Sequence, residues 1–82
     1  MIRTINCEID RAEGSLQRLI GLVERRGFHI DVLEMEAEGN GGRRVALGVR
    51  ARDSGRCFDV LGRQIDRLIG VRRIAAGREM AV

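Results

Sequence analysis

Apolar and polar residues alternate from Ile2 to Ile9, with Ile5, Cys7 and Ile9 on one face and Thr4, Asn6 and Glu8 on the other. A period of two predicts a half-buried strand. The period then changes. Leu16, Leu19, Ile20 and Val23 recur at i, i+3, i+4 and i+7, the stripe of an amphipathic helix. Arg25 and Arg26 fall in its last turn, where the helix dipole favours cations, and Gly27 supplies a left-handed cap. The loop from Asp10 to Glu13 joins strand to helix. Phe28, Ile30 and Val32 open an extended run, and a strand is expected from about Ile30 to Glu38, with Leu33, Met35 and Ala37 on one face and Glu34, Glu36 and Glu38 on the other.

Gly39-Asn40-Gly41-Gly42 is a turn signal, and the strand after it, Arg43 to Arg52, sends Val45, Leu47, Val49 and Ala51 inward. The two apolar faces must coincide, because a one-residue slip would bury the charges. Pairing Met35 with Leu47 meets that condition and sets Glu38 opposite Arg44. Asp53 or Ser54 is expected to cap a second helix with the stripe Phe58, Leu61, Ile65 and Leu68, an Asp59–Arg63 pair at i, i+4, and a stop at Gly70. A last strand covers Val71 to Ala76. The order βαββαβ predicts an α+β, ferredoxin-like domain spanning 1–82, a four-stranded antiparallel sheet with two helices on one face and a polar opposite face.

The chain has 82 residues, 44% hydrophobic and 33% charged, which fits one globular domain. No apolar run reaches the roughly 20 residues of a membrane span, and the N-terminal stretch has no signal-peptide core, so a cytoplasmic protein without membrane contact is expected. Cys7 and Cys57 lack metal-ligand spacing and sit among apolar residues, which predicts buried free thiols. All 15 basic residues are arginine, offset by 12 carboxylates to a net charge of +3 with the signs interspersed, the pattern of solvated faces.

Little in the chain can do chemistry. His29 is the only histidine and stands at a helix–strand junction without a cysteine or carboxylate at ligand spacing; no G-x-x-x-x-G-K or C-x-x-C occurs. No metal, no cofactor and no catalytic residue is expected. RNA modules of the same element order stack bases on aromatics of the two central strands. Here neither Ile2–Ile9 nor Arg43–Arg52 holds one, so no nucleic-acid partner is expected. The loop Asp10–Ser15 is the remaining candidate: a helix N-terminus offers free N–H groups to a carboxylate, and Gly14 permits close approach.

The run Gly14 to Leu33 closely resembles the ACT domains of acetolactate synthase small subunits. Ile9, Gly14, Leu16, Arg18, Gly21, Leu22, Arg26, Gly27, Phe28, Ile30 and Leu33 fall in the order of that family's pattern, and the Arg-Gly-Phe-His-Ile junction and the length look most like the short isozyme II type. The resemblance implies a non-catalytic regulatory subunit in branched-chain amino-acid biosynthesis, a homodimer through edge strands, and a large catalytic subunit as partner, which carries the thiamine diphosphate. It places an amino-acid effector such as valine at Arg11, Glu13, Gly14 and Ser15 in the loop of one subunit and at His29 and Ile30 in the other. Arg11 and His29 replace the asparagines of the valine-sensitive pattern, so feedback by valine is expected to be weak or absent. Leu22, Arg25 and Arg26 are expected at a partner or dimer contact. The alternative reading is a free-standing ACT sensor that binds an amino acid and regulates another enzyme.

Overall fold

A computed structural model describes residues 2–11, 13–39 and 41–74. The elements are β1 (Arg3–Ile9), α1 (Ser15–Arg25), β2 (Phe28–Ala37), β3 (Arg43–Ala51), α2 (Phe58–Ile65) and β4 (Val71–Ile74). The strands form one antiparallel sheet in the order β2-β3-β1-β4. This is the expected βαββαβ fold. Ala75 and Ala76, expected in the last strand, lie outside the described residues.

Both helices press their apolar sides onto the same sheet face. Leu19, Leu22 and Val23 of α1 and Leu61 and Ile65 of α2 close over Ile5, Cys7, Val45, Leu47 and Val49. The α1 stripe is rotated from its expected position: Ser15, Leu19, Leu22 and Val23 are buried while Leu16 and Ile20 are only half-buried. The second helix starts at Phe58 rather than beside Asp53. The Asp53 carboxylate instead accepts the Gly55 N–H at 3.0 Å, an Asx turn that uses the side chain before it can cap a helix. Arg3 lies over the Phe58 ring, 4.2 Å from its centroid, and shields the outer end of the α2 stripe.

The β2–β3 register differs by two residues from the expected one. Leu33 pairs with Leu47, Met35 with Val45 and Glu36 with Arg44. The turn geometry decides this. Glu38 N–H donates to the Gly42 carbonyl at 2.8 Å and Gly41 N–H to the Glu38 carbonyl at 3.1 Å, with Gly41 at φ +91°, the left-handed position of a three-residue hairpin loop. A shift of two keeps every side chain on its face, so the apolar pattern could not choose between the registers. Arg44 still meets Glu38, at 3.5 Å along a diagonal. A second irregularity interrupts the pairing between Ile30 and Val32, at Asp31. The extra residue puts Phe28, Ile30, Leu33 and Met35 on the helix side although the spacing from Ile30 to Leu33 is odd.

The outer sheet face is not uniformly polar. Arg72–Glu8, Arg44–Glu38 and the two-pronged Arg50–Asp31 pair, at 2.8 and 3.1 Å, put ionic groups on all four strands. The Arg50 guanidinium also holds the Asp31 carboxyl below its usual range. Between these pairs lie Ala46, Gly48 and Asn6, and Asn6 is buried although its strand position faces outward. Ala51 is exposed, since it ends β3 beyond the reach of the helices.

The cysteines differ from each other. Cys7 is buried in the core and burial pushes its thiol up to about 11, whereas Cys57 is exposed ahead of α2, contrary to the expectation of two buried thiols. A disulfide-exchange reagent at pH 8 is therefore expected to label one thiol per native chain rapidly. Cys57→Ser removes that phase, and Cys7 reacts only after denaturation. Rapid labelling of both thiols in the native protein would contradict the placement of Cys7.

Candidate functional site

The loop between β1 and α1 lies at the end of the sheet where Ile9 stands between Arg43 and Val71. Asp10 anchors it on three sides. Its N–H donates to the Gly70 carbonyl at 2.9 Å, its carboxylate accepts Ser15 Oγ–H at 2.5 Å, and its carbonyl accepts a longer bond from Arg43 Nη2 at 3.4 Å. Ser15 is fully buried and also accepts from Arg18 Nη2 at 3.2 Å. A buried hydroxyl with a donor on one side and a carboxylate on the other fixes where the first turn of α1 begins.

That first turn is left open to a ligand. Gly14 is its N-cap at φ 88°, no side chain caps the helix, and the first turn holds no acidic residue. Among the described residues the leading amides therefore have no side-chain acceptor, the condition under which a helix start takes up a carboxylate. Arg11 crosses in front of it. Its Cδ and Nη1 come within 3.0 and 3.1 Å of the place a side chain on Gly41 would occupy, so the guanidinium stem lies against the hairpin tip. Arg11 is thereby the common wall of two shallow clefts. One, about 380 Å³, is bounded by Glu13, Gly14, Leu16, Gln17, Gly41 and Arg43. The other, about 320 Å³, runs between Asp10, Glu8, Gly70 and Arg72.

The structure divides the residues expected to contact an effector. Arg11, Glu13, Gly14 and Ser15 gather at the loop, although Ser15 turns its hydroxyl inward to Asp10. His29 and Ile30 begin β2 at the far end of the sheet, opposite Arg50 and Val49. Arg50 stands seven positions along β3 from Arg43, roughly 23 Å at ~3.3 Å per residue. His29 is exposed on the outer face and Ile30 packs against the core, so within one chain the two groups do not form a single site.

Of the residues expected at a partner contact, Leu22 is buried in the core at 7% exposure and Arg26 donates to Gln64 Oε1 at 3.1 Å; Arg25 is exposed at the end of α1. Sequence reasoning passed over Asp10, Arg18 and Arg43, which hold the loop. The one local signal was Ser15 followed by Arg18 a helical turn later. Among the described residues no group of three or more His, Cys, Asp or Glu side chains could hold a metal, and no helix is long and apolar enough to cross a membrane.

The profile of the ACT domain matches residues 11–74. No curated protein matches the chain. Among solved structures, the crystal structure of formyltetrahydrofolate deformylase from Burkholderia mallei superposes with a TM-score of 0.63 at 19% identity, over 77% of this chain and 22% of that one. The likeness is one of fold, and the chain corresponds to about a fifth of the larger enzyme's length.

Proposed function

Because the chain belongs to the ACT-domain family, we propose that it is the regulatory small subunit of acetolactate synthase, acting in the cytoplasm as a single non-catalytic domain on a large subunit that carries the thiamine diphosphate. The Gly14–Leu33 pattern supports that assignment. The observation behind the mechanism is the divided site. The loop residues and the start of β2 lie at opposite ends of one sheet, and antiparallel pairing of β2 with β2 of a second copy brings them together. A two-fold axis near Leu33 sets His29 of one copy beside Ala37 of the other, at the hairpin end where the loop sits.

Such a dimer activates its partner only if it binds the active conformation better than the inactive one. A difference of about 3 kcal/mol shifts the balance by roughly 150-fold. An effector bound in the composite site would act through the same linkage. Valine is a poor candidate, since Arg11 can only donate and crosses the cleft where a short amide would both donate and accept.

The test is acetolactate formation by the cognate large subunit with and without this chain, titrated with valine. The expected outcome is activation that survives millimolar valine. Activation lost to valine would show a working feedback site despite Arg11 and His29. No activation would remove the subunit assignment in favour of an ACT sensor acting on another enzyme, the reading closer to the deformylase, a different enzyme that carries the same fold within its chain.

A further inference from the structure

Three features of the outer sheet face bear on what could cover it. The first is charge. Among the described residues, Arg44, Arg50 and Arg72 of this face form ion pairs with Glu38, Asp31 and Glu8, and Glu34 and Glu36 form none, although Glu36 stands opposite Arg44. Among the described residues, the carboxylates Glu8, Asp31, Glu34, Glu36 and Glu38 outnumber the arginines Arg44, Arg50 and Arg72 on this face, on a chain whose net charge is +3. The second is apolar surface. Ile2 and Val32 are 52% and 44% exposed, and both lie within 3.2 Å of where a side chain on Gly48 would begin, so they form a raised apolar rim over a floor of Gly48 and Ala46. The third is unmet hydrogen bonding. The buried donors without an acceptor among the described residues are Asn6 Nδ2 and Arg44 Nε, and both belong to this face. Asn6 is only 3% exposed, and Arg44 lies 3.5 Å from Glu38 without forming a hydrogen bond through Nε.

We propose that this outer face docks a basic amphipathic helix of the catalytic subunit, whose apolar stripe seats on Ile2, Val32 and Gly48 and whose Lys or Arg residues meet Glu34 and Glu36. The inference rests on the subunit reading above and names where the partner binds. A sheet with one uncovered face and a small-residue floor is completed by a helical layer. The acidic surplus selects against nucleic acid, against an anionic membrane, and against a second copy presenting the same face. Polar groups of the docked helix would supply acceptors to Asn6 and Arg44 once the amide turns outward.

The experiment is an activation titration of the cognate large subunit by the wild-type chain, Thr4→Arg, Glu34→Arg and Arg63→Glu, each checked by circular dichroism and light scattering. Thr4 is exposed at the middle of the face on β1, away from the sheet edge; Arg63 is exposed on the helical layer. The expected result is a rise of at least tenfold in the half-activating concentration for Thr4→Arg and Glu34→Arg, with Arg63→Glu within twofold of wild type and wild-type activation weakening as salt is added. Thr4→Arg activating at wild-type concentrations would overturn the docking face. Loss in Thr4→Arg with none in Glu34→Arg would overturn the basic character of the partner. If the wild-type chain does not activate at all, the subunit reading has failed and this inference falls with it.

Discussion

Gly70→Ala is expected to destabilise the domain by about 2–5 kcal/mol, through two costs that fall on the same atoms. Gly70 precedes β4 with φ +83°, a left-handed conformation that costs an L side chain about 1–2 kcal/mol. An added Cβ would also stand 2.8 Å from Asp10 Cγ and 2.9 Å from Asp10 Oδ1, so the carboxylate must move. That carboxylate holds Ser15, which is fully buried, and a buried hydroxyl stripped of its acceptor costs about 1–3 kcal/mol. For a domain of this size the sum is a fall in Tm of roughly 10 °C or more. Gly39→Ala is the comparison: nothing lies within 4 Å of the added carbon, and the change is expected to stay within about 0.5 kcal/mol. Gly62→Ala falls between the two, because its added carbon meets the Arg73 guanidinium, the far end of a flexible chain that can swing aside at the expense of its bonds to Asp66 at 2.7 and 2.8 Å. Adding Asp10→Ala to Gly70→Ala separates the two costs. If the clash dominates, the double variant is destabilised by less than the sum of the single ones. A Gly70→Ala protein as stable as wild type would mean that the loop is not anchored as described.

The same loop shows which parts of the molecule the sequence could reveal. Element order and the inward faces of β1 and β3 follow from period-two alternation. That signal is strong where a strand is central and covered, as at Ile5, Cys7, Val45 and Leu47, all buried. It cannot locate a register shift of two, and so the β2–β3 pairing was fixed by Gly41 and the hairpin hydrogen bonds instead. The bulge at Asp31 was legible in principle. Ile30 and Leu33 are both apolar at an odd spacing, and only an extra residue lets both face the helices. The start of α2 was not legible, since Asp53 caps a turn as readily as a helix. Asn6 was assigned to solvent by alternation alone, and only the tertiary structure buries it. For the candidate site, Gly14 and Ser15 were correctly placed at the start of α1. That Asp10 would support them could not be read, because its partners Gly70 and Arg43 arrive from distant parts of the chain.

Replacing both Leu33 and Met35 with arginine is expected to convert the proposed dimer into a monomer without unfolding it. Within one chain these side chains are 41% and 45% exposed, yet they stand on the helix side of the sheet, directly beside Leu47 and Val45, which are fully buried. They belong to β2, an edge strand of ten residues that borders β3 alone. A long edge with apolar side chains is a template for pairing with another chain; the bulge at Asp31 interrupts it near one end, but Val32 to Ala37 run in regular register and hold neither a proline nor a lysine. Pairing β2 with its own copy extends the sheet across a two-fold axis and shelters both side chains from water. Symmetry then amplifies any substitution, because each change enters the interface twice. Leu33→Arg with Met35→Arg would set guanidinium groups against one another across the axis and remove apolar burial on both sides. The dissociation constant is expected to rise by about a hundredfold or more, since each 1.4 kcal/mol lost is a factor of ten. Light scattering across a concentration series measures this directly, and circular dichroism reports whether each chain stays folded. Wild type that is monomeric at high concentration would remove the paired-edge assembly, and with it the arrangement proposed above to bring His29 and Ile30 to the Arg11 loop. A dimer that persists in the double arginine variant would place the interface elsewhere. The exposure of Leu33 and Met35 would then need another occupant.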